Sequence, residues 1–165
     1  MALEMELVGV RVQMPTNAPI LLLREVTGDK RTLPIYIGGP EAHAIDLALS
    51  ETKTARPMTH DLVVNLLDQL NARLEQIVIT ELRQGTFYAD LYLRDATDEV
   101  TTMSVRPSDA IALAVRLDTP IFADEELVDE AGIEADEDDE GDEEEMVEEL
   151  RKFLDEVNPE DFLPE

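Results

Sequence analysis

A chain of 165 residues without cysteine has room for one domain with a substantial core plus a tail, and it excludes both a disulfide framework and a thiolate metal site. The net charge of −26 argues against an ordinary basic nucleic-acid binder, but it is unevenly placed: residues 124–165 hold 22 acids and 2 bases, against 17 and 11 in residues 1–123. The opening MALEMELVGV carries acids where a secretory leader carries bases, and the longest aliphatic run, ILLL at 20–23, is far too short for a membrane span; a soluble, cytoplasmic protein with no membrane partner is expected.

Val8, Val10, Val12 and Met14 alternate with Gly9, Arg11 and Gln13, which predicts a half-buried strand. A second strand is expected from Ile20 to Val26, then a Gly28-Asp29 turn, then a third strand in which Leu33, Ile35 and Ile37 alternate. Gly38-Gly39-Pro40 punctuates, and EAHAIDLAL predicts a helix with Pro40 in its first turn. A further helix is expected from about Pro57 to Asn71. Residues 74–82 then read as a strand, Gln84-Gly85-Thr86 as a turn, and Phe87, Ala89, Leu91 and Leu93 as the next strand. After the polar turn DATD at 95–98, a strand ending at Val105 leads into PSDAIALAVRL, a helix with Pro107 in its first turn.

The order β-β-β-α thus occurs twice. At an offset of 66, Ala44, Ile45, Leu47 and Ala48 align with Ala110, Ile111, Leu113 and Ala114, which points to an internal duplication. The expected fold is α+β: duplicated β-β-β-α modules with an extra central helix, followed by an acidic linker and a C-terminal helix. The domain is expected over 1–123 and the linker over 124–145, where EADEDDEGDEEE (134–145) has no apolar periodicity and reads as disordered. An amphipathic helix and tail are expected over 146–165, with Met146, Val147, Leu150, Phe153, Leu154 and Val157 at helical spacing.

The stretches ARPMTHDLV (55–63) and VRPSDAIAL (105–113) share Arg-Pro, then a hydroxyl, then an acid. Pro40, Pro57 and Pro107 each stand where a helix begins, so Thr59, Asp61, Ser108 and Asp109 fall near helix N-termini, where hydroxyls and carboxylates satisfy unpaired N–H groups. Capping gives no reason for Arg56 and Arg106. Four segments, LPIYIGGPEAHAI (33–45), RPMTHDL (56–62), GTFYADL (85–91) and RPSDAIALAVR (106–116), in this order and spacing, resemble the bifunctional nuclease domain family, named for members that cut both RNA and DNA. Many relatives carry a Gly near Glu51 and an Asp near Ser104, where this chain differs.

The resemblance implies a metal-assisted phosphodiester hydrolase acting on RNA or DNA without sequence specificity. On that reading Glu41, Asp61 and Asp109 hold a divalent ion, Mg²⁺ or Mn²⁺, through hard oxygen ligands. Arg56 and Arg106 grip phosphate with Thr59 and Ser108 beside them, and His60, with Asp61 and Asp109, serves catalysis. His43, inside an alanine-rich helix, stays outside the catalytic set. Equally open are structural ion pairs, Arg56 with Asp61 or Arg106 with Asp109, and a non-catalytic regulatory module with an arginine-lined phosphate-like site. Unpaired strand edges make a homo-oligomer plausible.

Overall fold

The computed structural model describes residues 1–134. Seven strands, β1 (Ala2–Gln13), β2 (Ala18–Glu25), β3 (Thr32–Tyr36), β4 (Arg73–Arg83), β5 (Thr86–Arg94), β6 (Val100–Val105) and β7 (Ile121–Asp124), form one mixed sheet in the order β3-β2-β1-β7-β4-β5-β6. Four helices accompany it: α1 (Gly39–Leu49), α2 (Thr59–Gln69), α3 (Pro107–Leu117) and α4 (Glu125–Ala131). This is the expected α+β class, with both β-β-β-α modules present and α2 between them.

Each module is an antiparallel meander, β1-β2-β3 and β4-β5-β6, because short turns at each corner allow only antiparallel neighbours. The two meanders do not meet directly. β7, which the sequence reading missed, lies between them, antiparallel to β1 and parallel to β4. Four residues are too few to show alternation, yet Ile121 and Ala123 are buried beside Met5 and Ile77.

One face of the sheet holds the core. Leu21, Leu23, Leu33, Ile35, Ile77, Ile79, Ala89 and Leu91 alternate inward and pack with Ile45 of α1 and the Ala110–Ala114 run of α3. The expected inward set of β1 is corrected. Val12 and Met14 are exposed, while Leu3, Met5 and Leu7 face the core. A register shift between Leu7 and Gly9 moves the phase, so that Val10 and not Gly9 turns inward. Gly9, at φ +148°, supplies a backbone state that side chains disfavour.

The expected linker start at 124 is also corrected. Asp124 caps α4 through its carboxylate, accepting from the Glu126 N–H at 3.0 Å, and Leu127 and Val128 enter the core. Ile133 then exchanges two backbone hydrogen bonds with Thr32, at 2.7 and 2.8 Å. Beneath this return lies Glu25, 3% exposed, which accepts from the backbone N–H and the guanidinium of Arg31. Arg31 reaches on to Asp129 of α4 at 2.6 Å. The rest of the acidic linker and the amphipathic helix over 146–165 lie outside the described residues. No helix among those described is long and apolar enough to cross a membrane.

Candidate functional site

Three helices begin close together, which brings the Arg-Pro motif of α3 beside α1 and α2. Arg106, immediately before Pro107, is extended as a residue before proline must be, and its side chain turns back along α3. Its Nε and one terminal nitrogen donate to both oxygens of Asp109, at 2.7 and 3.0 Å. The other terminal nitrogen donates to Glu41 Oε1 of α1 at 3.0 Å. Asp109 Oδ1 also lies 3.0 Å from His60 Nε2 of α2. Burial disfavours the charged form of Asp109, but the hydrogen bonds from Arg106 and His60 outweigh it and hold the carboxyl below its ordinary value.

An ionised carboxylate only accepts, so His60 Nε2 carries the proton of this contact. His60 Nδ1 has no partner among the described residues and, in the neutral ring, is the nitrogen that carries the lone pair. The ring is 16% exposed and lines a cleft of about 350 Å³, together with Thr59, Glu41, Arg106, Asp109, His43 and Arg116. A histidine oriented through one nitrogen and open at the other is the arrangement a general base requires.

Asp61 sits one residue further along α2. One oxygen accepts from the Met58 N–H at 2.9 Å and so caps the helix; the other accepts from Arg116 Nε at 2.7 Å. The Arg116 hydrogen bond is the chief reason that Asp61 is held below its usual value, with the backbone bond second.

The expected site is therefore assembled in part. Glu41, Thr59, His60, Arg106 and Asp109 share the cleft. Arg56 does not join them: it lies in the exposed loop before α2, and Asp61 pairs with Arg116 instead. Arg116 was missed, although it stands two turns from Asp109 on a helix that is otherwise apolar, and this was its available signal. His43, set aside in the sequence reading, also lines the cleft. Ser108 opens onto a neighbouring cleft.

The acids are committed to guanidiniums: Glu41 and Asp109 to Arg106, Asp61 to Arg116. Among the described residues no three His, Asp or Glu side chains are grouped so as to hold a metal ion. The expected ligand set of Glu41, Asp61 and Asp109 does not fit a preformed divalent-ion cage, which needs several oxygens free to converge on one point.

Fold and cleft together define a class: a duplicated α+β domain whose helix N-termini gather an arginine, two carboxylates and a histidine around a solvent-open pocket. Residues 21–136 match the family model described as the bifunctional nuclease domain, and the chain belongs to that family. An uncharacterized protein of Mycobacterium tuberculosis is 44% identical over 166 residues, covering 96% of this chain and 97% of its own length. Bifunctional nuclease 2 of Oryza sativa subsp. japonica is 30% identical over 127 residues, or 76% of this chain and 39% of that protein. Bifunctional nuclease 2 of Arabidopsis thaliana is 29% identical over 109 residues, 65% of this chain and 32% of its own length. The chain thus spans well under half the length of these two plant relatives.

Proposed function

We propose that this chain hydrolyses phosphodiester bonds of RNA or DNA at the His60–Asp109–Arg106 cluster. The observation that carries the reading is the single Asp109 carboxylate, which is joined both to a histidine whose other nitrogen has no partner among the described residues and to an arginine whose side chain remains 64% exposed. Membership of the bifunctional nuclease domain family supports the reaction class.

In this mechanism Asp109 fixes the His60 tautomer, and Nδ1 removes a proton from the attacking water as its oxygen bonds to phosphorus. The outward N–H groups of Arg106 hold a phosphoryl oxygen and stabilise the charge that develops there. The P–O bond to the leaving oxygen breaks, that oxygen takes a proton from solvent, and His60 returns its own to water; one water is consumed. No step is assigned to Mg²⁺ or Mn²⁺, since Glu41, Asp61 and Asp109 are already bound to arginines. Contacts to backbone phosphate specify no base, so no sequence preference follows from this cluster.

The test is cleavage of single-stranded RNA and DNA by purified full chain, with and without divalent ions and chelator. His60→Ala and Asp109→Asn are expected to lower the rate by about 10²–10⁴ while circular dichroism stays unchanged. Loss of cleavage on chelation alone would show that an ion enters with the substrate phosphate. Cleavage indifferent to both substitutions would refute the assignment. The saturation of the acids by arginine favours one alternative, a phosphate-binding module without hydrolysis; it predicts Arg106-dependent phosphate binding by a preparation that cuts nothing.

A further inference from the structure

A second cleft, of about 440 Å³, opens beside the first, and Arg106 and Glu41 line both. The rest of its wall is of another kind. Tyr36 and Phe87 contribute aromatic surface, and Gly38 and Ser108 mark the starts of α1 and α3. Tyr36 is left 61% exposed, and its hydroxyl donates to Gln13 Oε1 at 2.7 Å, which holds the ring in place.

Ser108 is the less expected feature. It is only 6% exposed, yet its hydroxyl makes no hydrogen bond among the described residues. The oxygen is not sealed within the core, so its remaining surface belongs to the cleft it lines. A nearly buried hydroxyl that has no partner among the described residues and faces a cleft is free to bond a ligand atom in place of cleft water. Neither α1 nor α3 has a side-chain cap. The two starts still differ: Glu41 Oε2 lies so close over Gly38 that a Cβ there would be 2.1 Å away. Both first turns carry an acid, but Glu41 folds over the α1 start while Asp109 is turned to Arg106 and His60, so a further anion at the α3 end would meet the outward face of Arg106.

The geometry points to a nucleotide subsite: the base of an unpaired nucleotide enters this cleft against Tyr36 and Phe87, meets the Ser108 hydroxyl, and leaves its phosphate at Arg106 where the two clefts join. The inference rests on the hydrolytic reading above and narrows its substrate to single-stranded nucleic acid or unpaired ends. A base within a duplex is stacked on its neighbours and has its edge occupied, so it cannot enter without first being extruded. The cleft volume falls within the range of small-ligand sites, and stacking on aromatic rings accepts any base.

The experiment measures equilibrium binding of AMP, adenosine and inorganic phosphate to the full chain, alongside cleavage of one oligonucleotide sequence as single strand and as duplex. AMP is expected to bind more tightly than either fragment, and the single strand to be cut faster than the duplex. Tyr36→Ala should weaken AMP about ten-fold, as loss of one stacking partner does. Ser108→Ala, which removes only the hydroxyl, should also weaken AMP without altering the circular dichroism spectrum. AMP bound no better than phosphate, or affinity unmoved by both substitutions, would overturn the subsite. Cleavage that needs His60 but treats strand and duplex alike would also overturn it, while leaving the hydrolytic reading intact. Binding of AMP through Tyr36 by a chain that cuts no polymer would support the cleft as a nucleotide site and remove the hydrolytic reading instead.

Discussion

Replacing Arg31 by Met removes the only cation hydrogen-bonded to Glu25 among the described residues and leaves that carboxylate, 3% exposed, facing the core. In the native protein the hydrogen bonds of Arg31 hold Glu25 below its usual 4.5, against the opposing effect of burial. Breaking a buried pair by removing one partner typically costs about 3–5 kcal/mol, because the remaining charge is uncompensated. A depressed carboxyl contributes stability that is present above 4.5 and lost as pH falls through its folded value. In Arg31→Met the backbone N–H of residue 31 and the charge of Lys30 remain, but the guanidinium no longer opposes burial, so the folded Glu25 carboxyl should titrate higher than in the native protein and take up a proton earlier as the solution is acidified. The variant should therefore be about 3–5 kcal/mol less stable at pH 7, with the deficit shrinking towards pH 5. Urea unfolding at the two pH values, with matching slopes, measures this. Adding Glu25→Leu should recover much of the loss, since no charge is then left buried. A deficit under about 1 kcal/mol at pH 7, within the range of surface pairs, would refute the reasoning.

The remaining predictions concern the cleft and the end of the domain. Arg56→Ala should leave cleavage and stability unchanged, within about 0.5 kcal/mol, whereas Arg106→Ala should abolish most cleavage; side-by-side rates and urea curves check both. Asp61→Ala should cost more than the about 1 kcal/mol of a lost contact to the Met58 N–H, because it also leaves the nearly buried Arg116 without its carboxylate, measured by urea unfolding. Asp61 and Asp109 are both held below 3.8, so their contribution to stability should persist to below pH 4 and disappear only as pH falls through the folded values; an acid titration of unfolding that lost it by pH 5 would contradict this. Val128→Ala, at a fully buried position of α4, should cost about 2 kcal/mol, whereas an unfolded linker would tolerate it without change.

Much of this domain was legible because its signals are local. The aliphatic run of β2, alternation over β3 and β5, prolines at the starts of α1 and α3, and turn residues at Gly28 and Gly85 each depend on a few neighbours, and so does the repeated β-β-β-α order. The same locality placed Glu41, His60, Asp61 and Asp109 near helix N-termini before any helix could be positioned. What each of them touches depended on contacts across 49, 55 and 65 positions of chain: His60 with Asp109, Asp61 with Arg116, Glu41 with Arg106. The sequence offered Asp61 only Arg56, and the packing of α2 on α3 brought Arg116 to it instead and left Arg56 outside. The bulge at Gly9, the insertion of β7 between the meanders and the burial of Ser108 at the second cleft are decisions of the same kind. Composition and periodicity say which face of an element is apolar, but the choice of which surfaces meet is made by the free energy of the whole core, and the pairings that define this site follow from it.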